Sequence, residues 1–419
     1  MKTDTPNRSI LAVAGVLMQM ALGAVYAWSV FRLPLSQTYG WTVSQVTVAF
    51  ELAILVLGFA AFAGGMLMRH TGPRPVAVLA AVLYGLGTAM AGMSHSLTML
   101  YITYGVIGGA GLGLGYIVPI ATLVRWFPDK RGMITGIAVA GFGAGALVTA
   151  PVAQGLIASV GVSSTFVILG IAYFAIIMFA AAVMKNPPDG YAPPGFQASR
   201  VRGSAAQDFT LRQALRTRQW YGLWLTLFLN SAAGIAIISQ ASPMAQEISH
   251  VSAAAAAGLV GIISIANGSG RFLWAWFSDA VGRKAVFLAM FLLQAGAFLL
   301  LSHVSGFVSL AVLSFTILLC YGGGFGTMPA FAADYFGAKD IGSVYGLMLT
   351  AWGAAGVVGP TLVAQARQVT GQYQGALRIM ALVTLLSAIV PLFLHPPVLR
   401  LRPSVRENDP GSDRRRLAS

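Results

Sequence analysis

Arg69-His-Thr-Gly72-Pro-Arg74 and Asp279-Ala-Val-Gly282-Arg283-Lys284 are two short charged connectors, each leaving one long uncharged tract and leading into the next. They lie 210 residues apart, Gly72 against Gly282, and the interval recurs around them. Pro119 matches Pro329, Phe127 matches Phe336, Gly136 matches Gly346 and Pro151 matches Pro360, all within one residue of that spacing. The chain is therefore read as two repeating halves. Between its connectors run tracts of roughly 18–28 residues with almost no charge, each long enough to cross a hydrocarbon core of about 30 Å as a helix. Apolar residues make up 57% of the 419 and charged residues 9%, where a soluble domain carries about 25% charged residues.

The tracts predict an all-α integral membrane protein with twelve transmembrane helices, near 9–37, 43–68, 75–94, 97–125, 132–158, 164–184, 219–246, 252–277, 284–303, 306–333, 341–367 and 373–395. Residues 1–185 form one six-helix half and 219–396 the other. A proline- and glycine-rich linker, 186–218, joins them, its last residues (Asp208 to Arg218) suited to a short surface helix, and a basic tail occupies 397–419. Twelve crossings put both termini on one face. Of the 26 Lys and Arg residues, 22 lie in the termini and connectors of that face, while Arg32, Arg367 and Arg378 fall near the other and Arg271 within a helix. Such asymmetry marks the cytoplasmic side. The net charge of +14 is thus spread over connectors and tails beside the lipid bilayer, and nucleic acid is not expected as a partner.

Duplicated halves with a site between them are the build of alternating-access carriers. Glycine agrees, with 49 residues that include the spaced pairs Gly109/Gly113, Gly111/Gly115, Gly132/Gly136 and Gly141/Gly145. Small residues at this spacing let helix backbones approach closely. Cys320 is the single cysteine, which leaves no internal disulfide, and the five histidines sit at helix ends without metal-ligand spacing. No cofactor or metal is expected. Gly141-Phe-Gly-Ala-Gly145 has partial dinucleotide-fingerprint spacing, but it follows no strand and lies in a membrane tract. No nucleophile–base pair is visible, so an enzyme is not expected. The first tract is too long for the apolar core of a signal peptide.

Charge inside the membrane is the sharpest signal, because each such group costs at least about 2.5–3.5 kcal/mol at a helix centre unless solvated or paired. Arg271 lies mid-tract in Asn267-Gly-Ser-Gly-Arg271-Phe-Leu-Trp-Ala-Trp276, with no acidic residue within four positions. Its planar fork of donors suits a carboxylate, and a mobile anion is the natural partner. Asn267, one turn earlier on the same face, either orients the guanidinium and ligand or bonds a neighbouring helix. Glu51, about two turns below the outer surface, is either a buried proton carrier or a solvated residue of an outer vestibule. Tyr26, Trp28, Tyr116, Tyr321 and Trp352 lie away from the helix ends, where an interfacial belt would not put them. Each suits helix packing as well as ligand contact.

The connectors carry a resemblance. Arg125-Trp-Phe-Pro-Asp-Lys-Arg-Gly132 after the fourth tract, with Phe277-Ser-Asp279-Ala-Val-Gly282-Arg283-Lys284 after the eighth, resembles the major facilitator superfamily. More closely the chain is similar to the oxalate/formate antiporter family and the related monocarboxylate transporters, over about residues 9–396. Leu215-Arg-Thr-Arg-Gln-Trp220 also looks like this family. The resemblance implies the major facilitator fold and puts the family's membrane arginine on Arg271. It puts the cavity aromatics on Tyr26, Tyr116, Tyr321 and Phe325. Gating roles fall on Asp129, Arg131, Asp279, Gly282 and Arg283.

Departures matter as much. The oxalate carrier has a second cation in helix eleven, where this chain has Trp352. One fixed positive charge suits one carboxylate, since a dianion would leave a charge uncompensated in a poor dielectric. Proton-coupled animal relatives carry an aspartate and a lysine at the places of Asn267 and Val30, so their proton mechanism does not transfer. The acidic residue usual in the second connector is replaced by Arg69, which is expected to weaken the latch among the N-terminal helices. These readings converge on a carrier of lactate- or pyruvate-type monocarboxylates, proton-coupled, monomeric and in a bacterial inner membrane. Oxalate/formate-type antiport, or an anion sensor without transport, are the alternatives.

Overall fold

The computed structural model of the chain describes residues 7–188, 190–193, 208–370 and 372–397, and among these the regular structure is entirely helical. In the first half, α1 (Arg8–Gly23) tightens through a 3-10 segment at Ala24–Trp28 into α2 (Ser29–Tyr39). Then come α3 (Val43–Thr71), α4 (Pro73–Ala91), the single turn α5 (Leu97–Leu100), a π-helical stretch at Tyr101–Gly108, α6 (Gly109–Trp126) and α7 (Arg131–Val183). The second half follows the short α8 (Leu211–Ala214). It contains α9 (Arg218–Ser249), α10 (Ala253–Val281), α11 (Arg283–Leu301) and α12 (Phe307–Phe336). It ends with α13 (Ile341–Met348), α14 (Thr350–Thr370), α15 (Tyr373–Ser387) and α16 (Ile389–Leu392).

Local sequence sets the helix ends. Thr42 and Gln45 form a capping box at the start of α3, and Thr210 and Gln213 form another at α8, the surface helix expected in the linker. Most of that linker and the basic tail lie outside the described residues. The paired connectors turn on glycine for a backbone reason. Gly72 and Gly282 adopt φ of 80° and 95°, a left-handed region that a side chain would strain.

Nine helical runs among the described residues are long and apolar enough to cross a membrane. The run α7, at 53 residues, spans about 80 Å at 1.5 Å per residue. It breaks at Gly161 (φ 81°, ψ 166°) and makes two crossings. α10 and α14, with 29 and 21 residues, are also long enough. The result is twelve crossings in two six-helix halves. Large apolar side chains such as Phe59, Phe179 and Phe393 point outward, as lipid-facing surfaces require.

Close backbone approach sorts the glycines into two groups. Gly111 abuts Tyr84, Gly113 abuts Leu57 and Ala61, and Gly145 abuts Met20 and Gly23, all within the first half. A second group joins the halves: Gly65 against Gly342, Gly58 against Leu349, Gly132 against Ala275, Gly136 against Arg271, and Gly143 against Gly268. The first four of these run from the connector-rich end toward mid-membrane. Further toward the other end, a Cβ on Gly155, Gly261, Gly353 or Gly356 meets no atom of the described residues within 4 Å. The bundle is closed at one end and opens toward the other.

A Cβ at Gly65 would stand 2.0 Å from the Gly342 carbonyl oxygen. Gly65→Ala is expected to lower thermal stability in detergent by about 1–3 kcal/mol, the usual cost of overpacking. Gly155→Ala, in open space, is expected to leave the unfolding temperature unchanged or raise it. Equal behaviour of the two variants would show that α3 and α13 do not pack as described.

Candidate functional site

Arg271 lies on α10 at the seam between the halves, and it is fully buried. Its Nε donates to Asn267 Oδ1 at 3.3 Å, one helical turn back. The guanidinium carbon sits 5.6 Å from the Phe142 ring centre on α7 and 5.3 Å from that of Phe325 on α12. Desolvated cation–π contacts of this kind contribute about 2 kcal/mol or somewhat more each, too little to replace lost hydration. Nη1 and Nη2 have no hydrogen-bond partner among the described residues. The fork is anchored at its stem and open at its tip.

The predicted aromatics gather around it. Tyr26, in the 3-10 segment, lies beside the guanidinium, and its hydroxyl is buried without meeting hydrogen-bond geometry. Its ring packs edge-on to Phe142 at 5.2 Å and to Trp352 at 6.4 Å. Tyr116 also packs edge-on to Phe142, at 5.2 Å. From the other half, Phe325 contacts Tyr321 (5.2 Å) and Trp352 (5.1 Å). Both halves thus supply walls: Tyr26, Tyr116 and Phe142 on one side, Tyr321, Phe325 and Trp352 on the other. The Tyr116 and Tyr345 hydroxyls are buried beside each other, neither meeting hydrogen-bond geometry among the described residues. The arrangement gathers several donors and rings around one guanidinium, a set whose chemistry suits a small anion with an apolar body.

Two residues lie apart from Arg271. Trp28 packs within the first half, on Tyr104 (4.2 Å), Phe166 and Phe31, and not around Arg271. Glu51 is exposed on α3 and is not among the groups touching Arg271. It lies at seven-residue steps from Gly58 and Gly65, so it shares the α3 face that meets the other half, but at the splayed end. Phe142, which bridges Tyr26, Tyr116 and Arg271, was missed. The available signal was an aromatic alone among small residues in Gly141-Phe-Gly-Ala-Gly145, a run that reads first as a packing stripe.

The connectors form the closed end. Asp279 accepts from the backbone N–H of Gly132 (2.9 Å) and Met133 (2.7 Å) across the seam, so a carboxylate of one half caps α7 of the other. Arg283 holds Asp279 at 2.7 Å and Asp334 at 3.0 Å, and it also donates to Ser278. Arg131 reaches across to Asp334 at 3.0 Å and to the Ala333 carbonyl. Asp129 pairs instead with Arg8 at 2.7 Å, within its own half. Arg69, expected only to weaken a latch among the N-terminal helices, makes a cross-half pair with Asp340 at 3.5 Å. Position 69 is the repeat partner of 279, so the two seams carry opposite signs at equivalent places.

The sequence profile of the Major Facilitator Superfamily matches residues 11–360, and again 224–417. The chain belongs to this superfamily. It is 30% identical to the uncharacterized MFS-type transporter YhjX of Escherichia coli, over 84% of this chain and 86% of that one. It is 28% identical to the oxalate:formate antiporter of Oxalobacter formigenes, over 83% and 82%. The apicoplast pyruvate carrier 1 of Toxoplasma gondii is 25% identical over 83% and 73%. Among solved structures, the transporter FucP in the outward conformation superposes with a TM-score of 0.71 at 19% identity, covering 92% of this chain and 99% of that one. The proton:xylose symporter XylE gives 0.73 at 14%, covering 92% and 96%. These two share the fold. The chain is accordingly a membrane-spanning transporter of the major facilitator type.

In this transporter the Arg69–Asp340 seam has a pH dependence of definite sign. Burial raises the Asp340 carboxyl above its usual range; Arg69, Lys339 and Arg125 pull the other way, and Asp208 adds to the rise. Because the folded group titrates above the unfolded one, stability linked to its proton is full below the unfolded range. It is lost as pH rises through the folded value. Asp340→Asn, which mimics the protonated form, is expected to melt above wild type at neutral pH, with the gap closing on acidification. A variant that melts below wild type at neutral pH would mean that the Arg69 pair outweighs the burial.

Proposed function

We propose that this transporter carries a small monocarboxylate of the lactate or pyruvate type by rocker-switch alternating access. The observation that carries the reading is the buried Arg271 fork, its two terminal nitrogens unpartnered and its surroundings aromatic. A carboxylate accepting both N–H groups would satisfy them together. Tyr26, Tyr116, Tyr321, Phe325 and Trp352 would enclose a short carbon skeleton, and Asn267 would hold the guanidinium in register. The pyruvate carrier and the oxalate:formate antiporter among the relatives support an organic anion as cargo.

Occupancy supplies the switch. An empty site keeps an unneutralised cation where the dielectric is low, so closing the open end over it is costly. A bound monoanion cancels that charge and lets the halves rock together over it. A dianion would overshoot by one charge, since Trp352 stands where a second cation would help. With both termini in the cytoplasm, as the positive-inside bias implies, the closed connector end is the inward gate and Asp279, Arg283, Asp334 and Arg131 hold it. Gly282 fixes the turn that aims Arg283. Proton co-transport is part of the proposal, with Glu51 as its candidate carrier at the splayed end of α3.

Uptake of labelled lactate into proteoliposomes tests the assignment. Arg271→Ala is expected to abolish uptake while the protein stays folded, and Arg271→Lys to lose most of it, because an ammonium cannot reproduce the planar fork. Full uptake by Arg271→Ala would refute the site. Uptake indifferent to an imposed pH gradient would remove proton coupling and leave exchange. Glu51→Gln is expected to abolish any gradient response while preserving exchange.

A further inference from the structure

Beside the Arg69–Asp340 pair the closed seam holds a cavity of about 390 Å³. Its walls come from both halves: Arg69 and His70 of α3, Arg125 of α6, and Asn186 after α7, facing Lys339, Asp340 and the start of α13. The lining carries three permanent cations against one carboxylate. The repeat-related seam is balanced, with Arg131 and Arg283 against Asp279 and Asp334.

The difference has a structural origin. At the balanced seam the connector carboxylate Asp279 caps the first turn of the facing helix. At the other seam its counterpart is Arg69, and α13 begins without a side-chain cap. The carboxylate at that N-terminus, Asp340, is drawn into the Arg69 pair and leaves α13 without a side-chain cap, with cations around the place. Two acceptors lie there short of hydrogen bonds. Asp340 Oδ2, on a side chain 8% exposed, stands 3.5 Å from Arg69 Nε and outside hydrogen-bond geometry, and Asn186 Oδ1 is buried without a partner among the described residues. A simple carboxylate would satisfy the cations and leave those oxygens bare. A phosphate that retains a proton offers both acceptor oxygens and an O–H donor.

We propose that this cavity binds a phosphate group and that the bound group locks the seam. It accepts from Arg69 and Arg125 of one half and from Lys339 and the α13 backbone of the other, and donates its remaining proton to Asp340 or Asn186. Because these donors separate when the halves part at this end, occupancy opposes opening. The site is inhibitory and independent of the central arginine. A lipid headgroup and a soluble phosphate ester present the same chemistry.

The test uses the full chain in detergent at constant ionic strength, titrated with inorganic pyrophosphate and followed by thermal unfolding. A saturable rise in melting temperature is expected. Lys339→Ala, whose exposed side chain makes no ion pair among the described residues, and Arg69→Gln are each expected to weaken it about tenfold, near 1.4 kcal/mol. Arg271→Ala is expected to respond as wild type does, so a failure of the central-site reading leaves this result standing. A parallel arm compares phosphatidylcholine vesicles with and without phosphatidic acid. Stabilisation by phosphatidic acid alone assigns a headgroup, and by pyrophosphate alone a soluble ester; both results support the site. No saturable shift in either arm, or a shift that both variants leave intact, overturns it.

Discussion

A guanidinium buried between two halves of a membrane protein sets the terms for everything near it. Arginine does not shed its proton, so the charge at Arg271 must be solvated by something other than water. The fold supplies only part of that. Asn267 accepts from Nε, and Phe142 and Phe325 turn their faces toward the cation, but the tip of the fork keeps two nitrogens without acceptors. Packing around the group fixes where it stands. Gly136 and Gly326 both abut the Arg271 backbone, so α7 and α12 clamp α10 at this point. Mobility of the arginine itself would let it snorkel toward water. Clamping prevents that, and the unmet demand for an acceptor stays at the seam, where a cargo can meet it.

The closed end works on a different physical basis. Charges there are paired across the seam through helix ends and connectors, in a region close enough to water that pairs can form and part. Asp279 uses the α7 dipole and two backbone N–H groups instead of a side-chain cation as its cross-half partner. That interaction is directional and lost as a unit when α7 moves, which suits a latch. Reversal of sign at the repeat-related position, Arg69 in place of an acid, changes the second seam from a self-contained latch into a cationic recess.

Much of this was legible before any coordinates. The twelve crossings followed from tract length and charge, and the halves from the 210-residue interval. Arg271 stood out because charge within an apolar tract is costly, a local fact. Tyr26, Tyr116, Tyr321 and Trp352 stood out by their distance from the helix ends. Other features were illegible for a physical reason. Whether an aromatic faces a partner helix or a site depends on helix rotation, which puts Trp28 in the packing of the first half and Phe142 against the guanidinium. The glycine pairs announced close packing without saying which pairs join helices within one half and which join the halves.

The chain on its own settles what a one-dimensional pattern can settle. Hydrophobic length, charge placement and internal repetition dictate a duplicated helical bundle in a bilayer with one lone cation inside it. Which side chains surround that cation, which end is shut, and which carboxylate Arg69 finds are decided only in three dimensions. Those contacts join residues tens to hundreds of positions apart, and their geometry depends on how helices rotate and cross, a choice that backbone packing makes collectively.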